Sequence, residues 1–149
     1  MTISTKSKGF TLIELLVVVA VIGLLSTLAI IALGSARTKA RDAKRISDVK
    51  DTRNALELYF ADYGKYPLSP EGIQLGLSGA VCLDNSIGGW SATCENPYMS
   101  IVQSDPGKNV YLYRSVDGAA YTIQISLEGA MAGLAAGNVI ATPSGLSNQ

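Results

Sequence analysis

The sequence predicts an α+β protein. One long N-terminal α-helix, transmembrane in its first half and amphipathic in its second, packs on a small antiparallel β-sheet head. Three observations carry this. Residues 12–33 are apolar with a single charge, Glu14. Helix formers then continue with no proline from Phe10 to Tyr66. Near the other end, residues 110–115 (VYLYRS) and 121–126 (YTIQIS) alternate apolar and polar positions about Val116-Asp117-Gly118, the pattern of a β-hairpin.

Taken in order, residues 1–9 (MTISTKSKG) are short, polar and basic, with Lys6 and Lys8 their only charged side chains. A general secretory signal places its apolar region before the cleavage point. Here the plausible processing point, Gly9–Phe10, precedes the apolar run, so cutting there leaves the run attached. That run of about 22 residues makes a helix of about 33 Å, enough to cross a bilayer. A carboxylate in hydrocarbon costs at least about 2.5 kcal/mol, so Glu14 needs a partner. Ala20, Gly23, Thr27 and Gly34 form a small-residue stripe that admits close helix neighbours.

Beyond Ser35 an amphipathic stripe appears: Ala36, Ala40, Ala43, Ile46, Val49, Leu56, Phe60 and Tyr63 recur at helical spacing. Gly64 is a good C-terminal stop, and Pro67 forbids resumption. The simplest reading is one helix of roughly 54 residues. Seven basic and three acidic side chains lie between Arg37 and Arg53. The cluster of Arg37, Lys39, Arg41, Lys44 and Arg45 lacks interleaved aromatics, so it reads as a solvated helix face, or one paired with acidic neighbours in an assembly, rather than a nucleic-acid patch. It also pulls the C-terminal side toward the cytoplasm by the positive-inside rule.

Residues 68–109 read as loop with brief structured pieces, punctuated by Gly, Pro, Asn and Asp and anchored on the core by Trp90 and Tyr98. Cys82 and Cys94 are either two buried thiols or one disulfide closing a Gly-rich loop. An even count in a small domain behind a membrane segment favours the disulfide, which places the head outside the cytoplasm and opposes the charge count. Residues 129–149 are Gly/Ala-rich, with mobile final residues expected. The organisation is thus a leader (1–9), a membrane helix (10–34), its amphipathic continuation (35–64) and a head (65–149).

Histidine is absent, which removes Ser-His-Asp and Cys-His catalysis and imidazole zinc sites. No phosphate-binding glycine motif appears. The net charge of +0 offers no argument for nucleic acid. An enzyme is not expected.

The residues Lys8-Gly9-Phe10-Thr11-Leu12-Ile13-Glu14-Leu15-Leu16 resemble the N-terminus of type IV prepilins and of the related pseudopilins of type II secretion. The resemblance extends from Lys6 through YFADYGKYP at residues 59–67, and implies the lollipop organisation of a pilin. It further implies that a membrane prepilin peptidase cuts Gly9–Phe10 on the cytoplasmic face and N-methylates Phe10. Glu14 would pair with the N-terminal amine of a neighbouring subunit, which supplies the missing partner. Implied partners are that peptidase, copies of the chain and minor pilins in a helical filament, the inner-membrane assembly machinery, and the membrane before assembly. The implied location is the inner or cytoplasmic membrane, single-pass with its N-terminus cytoplasmic, then an extracellular pilus or pseudopilus.

The resemblance brings no cofactor as a rule. Some major pseudopilins bind calcium in the head, and Asp84, Asp105 and Asp117 could contribute oxygens here, though they read equally as turn formers. The chain departs from many pilins in having no proline within its apolar helix, and in placing its cysteines between helix and hairpin. Three readings follow: a pilin of a type IV pilus-like filament, a secretion pseudopilin, or an uncleaved membrane-anchored extracellular binding module.

Overall fold

A computed structural model describes residues 9–149. The leader's Lys6 and Lys8 lie outside the described residues. Helix α1 runs Leu12–Tyr63. The chain forms two compact units, Met1–Arg37 and Thr38–Gln149.

In the first unit α1 is apolar on all sides. Its most apolar 18-residue window has a mean hydropathy of 2.9 and is 0% buried within the chain, long and apolar enough to cross a membrane. The two hydroxyls inside this stretch are satisfied by the helix itself. Ser26 Oγ donates to the Ile22 carbonyl at 2.7 Å, and Thr27 Oγ1 to the Leu24 carbonyl at 2.8 Å. Such back-bonding is what a helix in lipid requires, because no water is there to take the donors.

The second unit begins on the same helix. Its C-terminus is capped as the sequence suggests: Gly64 adopts φ +64°, and its N–H donates to the Phe60 carbonyl at 2.8 Å. The buried face of this segment comprises Asp42, Arg45, Ile46, Asp48, Val49, Thr52, Ala55, Leu56 and Tyr59. It overlaps the expected stripe only at Ile46, Val49 and Leu56. Ala36, Ala40, Ala43 and Phe60 are exposed, whereas Asp42 and Arg45 turn inward. Periodicity located the helix; ion pairing, which hydropathy does not measure, rotated the buried face.

Eight strands complete the unit: β1 Ser69–Leu75, β2 Cys82–Asp84, β3 Trp90–Ser91, β4 Pro97–Met99, β5 Tyr111–Ser115, β6 Thr122–Leu127, β7 Gly137–Thr142 and β8 Gly145–Asn148. The larger sheet has the order β1-β5-β6-β7-β8 and the smaller one β3-β2-β4, all pairs antiparallel. β5 and β6 are the expected hairpin. Alternation buries Tyr111, Tyr113 and Ser115 on β5, and Ile123, Ile125 and Leu127 on β6. With Val139 and Ala141 of β7, they pack in one core with Val49, Leu56 and Tyr59 of the helix. Each fully buried aliphatic side chain stabilises this core by about 1.5–3 kcal/mol.

One expectation is filled in and one is corrected. Residues 68–109 are loop with brief structured pieces, and those pieces are strands: β1 is an edge strand whose register shifts between Ser69 and Ile73, and three short strands make the second sheet. Residues 129–149 are not a loose tail, since β7 and β8 pair at four positions and the Gln149 N–H donates to the Asn138 carbonyl at 3.2 Å. Small residues and Pro143 mask the alternation there, and a paired neighbour supplies the order that local propensity does not.

Candidate functional site

In the first unit the sequence-predicted site residues are close together at the helix start. Gly9 and Phe10 precede the helix and are exposed. A Cβ on Gly9 would meet nothing within 4 Å, so the chain's own packing does not demand glycine there. Thr11 and Glu14 form a capping box that sequence reading missed, although its signature, Thr-x-x-Glu before an apolar run, is plain. Glu14 Oε2 accepts from the Thr11 N–H at 2.8 Å and from the Thr11 hydroxyl at 2.7 Å, while the Glu14 N–H donates back to Thr11 Oγ1 at 3.3 Å. The carboxylate is thereby satisfied locally but stays exposed, beside a shallow groove of about 330 Å³ lined by Phe10, Ile13, Val17 and Val18.

In the second unit Cys82 and Cys94 form a disulfide with their Cα atoms 6.3 Å apart. The loop it closes docks on the helix. Tyr59 OH donates to the carbonyls of Ser86 and Ile87 at 3.0 and 2.9 Å. Trp90 and Tyr98 pack against the core as expected, with the Trp90 ring 5.0 Å from that of Tyr113.

The basic cluster is only partly a solvated face. Arg45 is 1% exposed and reaches three carboxylates. Its Nε and Nη2 donate to Asp105 at 2.6 and 3.1 Å, and its Nη1 donates to Asp42 at 2.7 Å and Glu128 at 2.8 Å. Asp42 also accepts the backbone N–H groups of Glu128 and Gly129 at 3.0 and 2.8 Å. Arg41 forks onto Glu128 through Nε, at 2.7 Å, and Nη2. The hydrogen bond to Asp105 raises the Arg45 pKa above its ordinary value despite burial. The bonds from Arg41, then Arg45, draw Glu128 down to about 2. A second buried group lies next to it: Asp48 accepts from Lys44 at 3.0 Å and from Tyr111 OH at 3.1 Å, and burial followed by the Asp48 charge raises Tyr111. The missed signal was positional, because Asp42 and Arg45 fall on the same helix face as Ile46 and Val49.

The three aspartates considered for calcium are not brought together. Asp84 accepts from the Asn96 N–H at 3.0 Å, tying the end of β2 to the residue before β4, Asp117 closes a turn by accepting from the Ala119 N–H at 2.9 Å, and Asp105 is held by Arg45. Among the described residues no three His, Cys, Asp or Glu side chains gather as a metal group.

A family described as "Prokaryotic N-terminal methylation motif" matches residues 4–30, and "Type II secretion system (T2SS), protein G" matches residues 32–137. The chain belongs to the type II secretion system protein G family. Relatives of the chain include the type II secretion system core protein G of Escherichia coli (strain K12), 36% identical over 74 residues, which are 50% of this chain and 51% of the relative. The core protein G of Aeromonas hydrophila is 35% identical over 68 residues, 46% of this chain and 48% of the relative. The type IV major pilin protein PilE1 of Neisseria gonorrhoeae is 34% identical over 64 residues, 43% of this chain and 39% of the relative. The chain spans about half the length of the curated core protein G relatives it matches. No solved structure matches the chain.

Proposed function

We propose that this chain is a structural, non-catalytic subunit of a type IV pilus-like filament. Prepilin peptidase cuts it at Gly9–Phe10 and methylates Phe10, and it assembles through residues 10–34 with other copies and minor pilins. The observation that carries the reading is the isolation of Glu14. It is the one ionisable side chain of a long apolar helix, capped by Thr11 yet open to a second charge. Cleavage creates an amine at Phe10, and a neighbouring copy's amine can then offset a carboxylate that is costly in lipid.

The orientation in this reading has the leader cytoplasmic and residues 65–149 outside, anchored in the cytoplasmic or inner membrane until the inner-membrane machinery extracts the chain. The disulfide supports this, because such bonds persist in oxidising compartments. The ion network weakens the opposing argument, because Arg41 and Arg45 pair with carboxylates of the head and Lys44 pairs with Asp48 of its own helix.

Mass spectrometry of the chain from its host tests the processing step. An N-methylated Phe10 is expected, while an intact leader would favour an uncleaved membrane-anchored binding module. Glu14→Ala should insert into the membrane normally but assemble poorly; normal filaments from that variant would sink the pairing role. The match of residues 32–137 to protein G favours a second reading, a pseudopilin of a secretion fibre. Deletion that abolishes surface filaments but leaves protein export intact would argue against it.

A further inference from the structure

After β6 the chain carries no polar side chain from Gly129 to Gly137 (GAMAGLAAG). Ala130, Ala132, Gly133, Ala135 and Ala136 are exposed, while Met131 and Leu134 are half-buried and pack on the core. The turn is tight. Met131 and Leu134 exchange backbone hydrogen bonds at 3.0 and 2.9 Å across Ala132 and Gly133, which adopt φ +55° and +82°. Such a two-residue turn favours Asn or Gly at its first position. Alanine there accepts backbone strain and leaves the exposed tip apolar.

Much of the loop's polar backbone is already satisfied inside the head. Besides the Met131–Leu134 pair, Asp42 accepts the Gly129 N–H at 2.8 Å. The Asn148 side chain accepts the Ala135 N–H at 3.0 Å and donates to the Ala135 carbonyl at 3.2 Å. An apolar tip whose backbone groups are engaged leaves water readily.

Its place in the head gives this loop a neighbour. Arg41 and Asp42 hold Glu128 and Gly129 at the first turns of the second unit, which begins at Thr38. Only residues 34–37 separate Thr38 from Leu33, the last residue of the apolar run. Fully extended, that link reaches about 17 Å. This end of the head, its base, therefore stays close to the bilayer in an anchored chain, whatever the angle between the units. The unpaired side-chain charge of the base is positive. Arg45 and Arg41 take Asp42, Asp105 and Glu128, whereas Lys39 and Lys108 are exposed and, among the described residues, make no ion pair. Lys108 shares a hollow of about 390 Å³ with Arg41 and Glu128, which places it beside the loop.

We infer that the base of the head rests on an anionic phospholipid surface while the chain is anchored, with the Ala132 tip in the headgroup layer and Lys39 and Lys108 facing lipid phosphates. The inference rests on the membrane-anchored part of the proposed function. A small apolar tip and two cations bind a bilayer weakly by themselves. The anchor supplies the local concentration that makes the contact persist.

The chain's two cysteines are paired, so a cysteine added to the full-length chain is its sole free thiol. A fluorophore on Ala132→Cys, with Ala135→Cys as a second site in case the tip does not tolerate it, is compared with one on Ile87→Cys. Ile87 sits at Tyr59, about 27 Å further along the helix than Arg41. In vesicles of phosphatidylglycerol and phosphatidylcholine carrying a headgroup-nitroxide lipid, the loop label should be quenched at least about threefold more than the Ile87 label. Pure phosphatidylcholine, or Lys39→Glu with Lys108→Glu, should remove most of that difference. Equal quenching at the two positions overturns the contact, and a difference unchanged by both treatments overturns its anionic-lipid basis. Disulfide-linked Ala132→Cys dimers without quenching would assign the tip to a second copy instead. A label on Leu24→Cys separates this inference from the reading beneath it. If an acyl-chain nitroxide fails to quench that label, the anchor itself is overturned; a quenched Leu24 label with an unquenched loop label overturns only the resting head.

Discussion

Arg45 and Asp105, 60 residues apart in sequence, meet as a two-pronged ion pair in which both side chains are almost completely buried, with exposures of 1% and 0%. The pair ties the helix to the segment that leads into β5. Through Glu128 and Asp42 the same guanidinium also holds the turn after β6. One helix side chain thus fixes two connections of the sheet.

Removing that guanidinium leaves Asp42 and Asp105 buried without a countercharge. Arg45→Ala should destabilise the head by about 3–5 kcal/mol. Arg45→Lys should recover only part, because an ammonium cannot reproduce the fork onto Asp105. Urea titration of the three proteins, followed by circular dichroism, checks both statements.

Acid should loosen the same network. Glu128 has a folded pKa of about 2, against an ordinary value of 4.5. Burial pushes Asp105 up, but the hydrogen bond from Arg45 and the Gly107 N–H hold it below its ordinary value on balance. Groups depressed on folding contribute stability that is complete above their unfolded pKa and lost as pH falls toward the folded one. The thermal midpoint should therefore hold at pH 6 and fall between about pH 4.5 and pH 2, with a shallower fall in Glu128→Gln. A midpoint that stays flat across that window would contradict the assignment.

The disulfide should stabilise by about 3 kcal/mol in the chain-entropy model. Replacing Cys82 and Cys94 with serine should lower the urea midpoint accordingly. The chain has 1 tryptophan, so loosening of the Trp90–Tyr113 contact should be read directly as a red shift in native-state emission.

Gly89 answers to the packing of the disulfide loop on the helix end. It has φ +70°, and a Cβ there would stand 2.6 Å from Pro67 Cγ and 3.1 Å from Tyr59 Cε2. Gly89→Ala should cost about 1–3 kcal/mol through strain and overpacking combined. Gly88→Ala, where a Cβ meets nothing within 4 Å, is the matched control and should be near neutral.

Features decided over a few consecutive residues were legible in the sequence: the unbroken helix ending at Gly64, Glu14 in its apolar run, and the alternation of β5 and β6. Each rests on a local period or a local stop, so neighbouring residues suffice to read it. The strands β1, β7 and β8, the choice of Arg45 and Asp42 for burial, and the separation of Asp84, Asp105 and Asp117 were decided by the tertiary structure. For β1, Arg45, Asp42 and Asp105 the deciding partner comes from far along the chain, and β8 is ordered by a β7 that is itself held by β6. Ser69 pairs with Ser115 and Arg45 with Asp105, and Asp42 takes the backbone N–H of Glu128. A charged side chain is buried when the fold delivers its countercharges and donors, and that delivery is a property of the whole head rather than of any stretch of it.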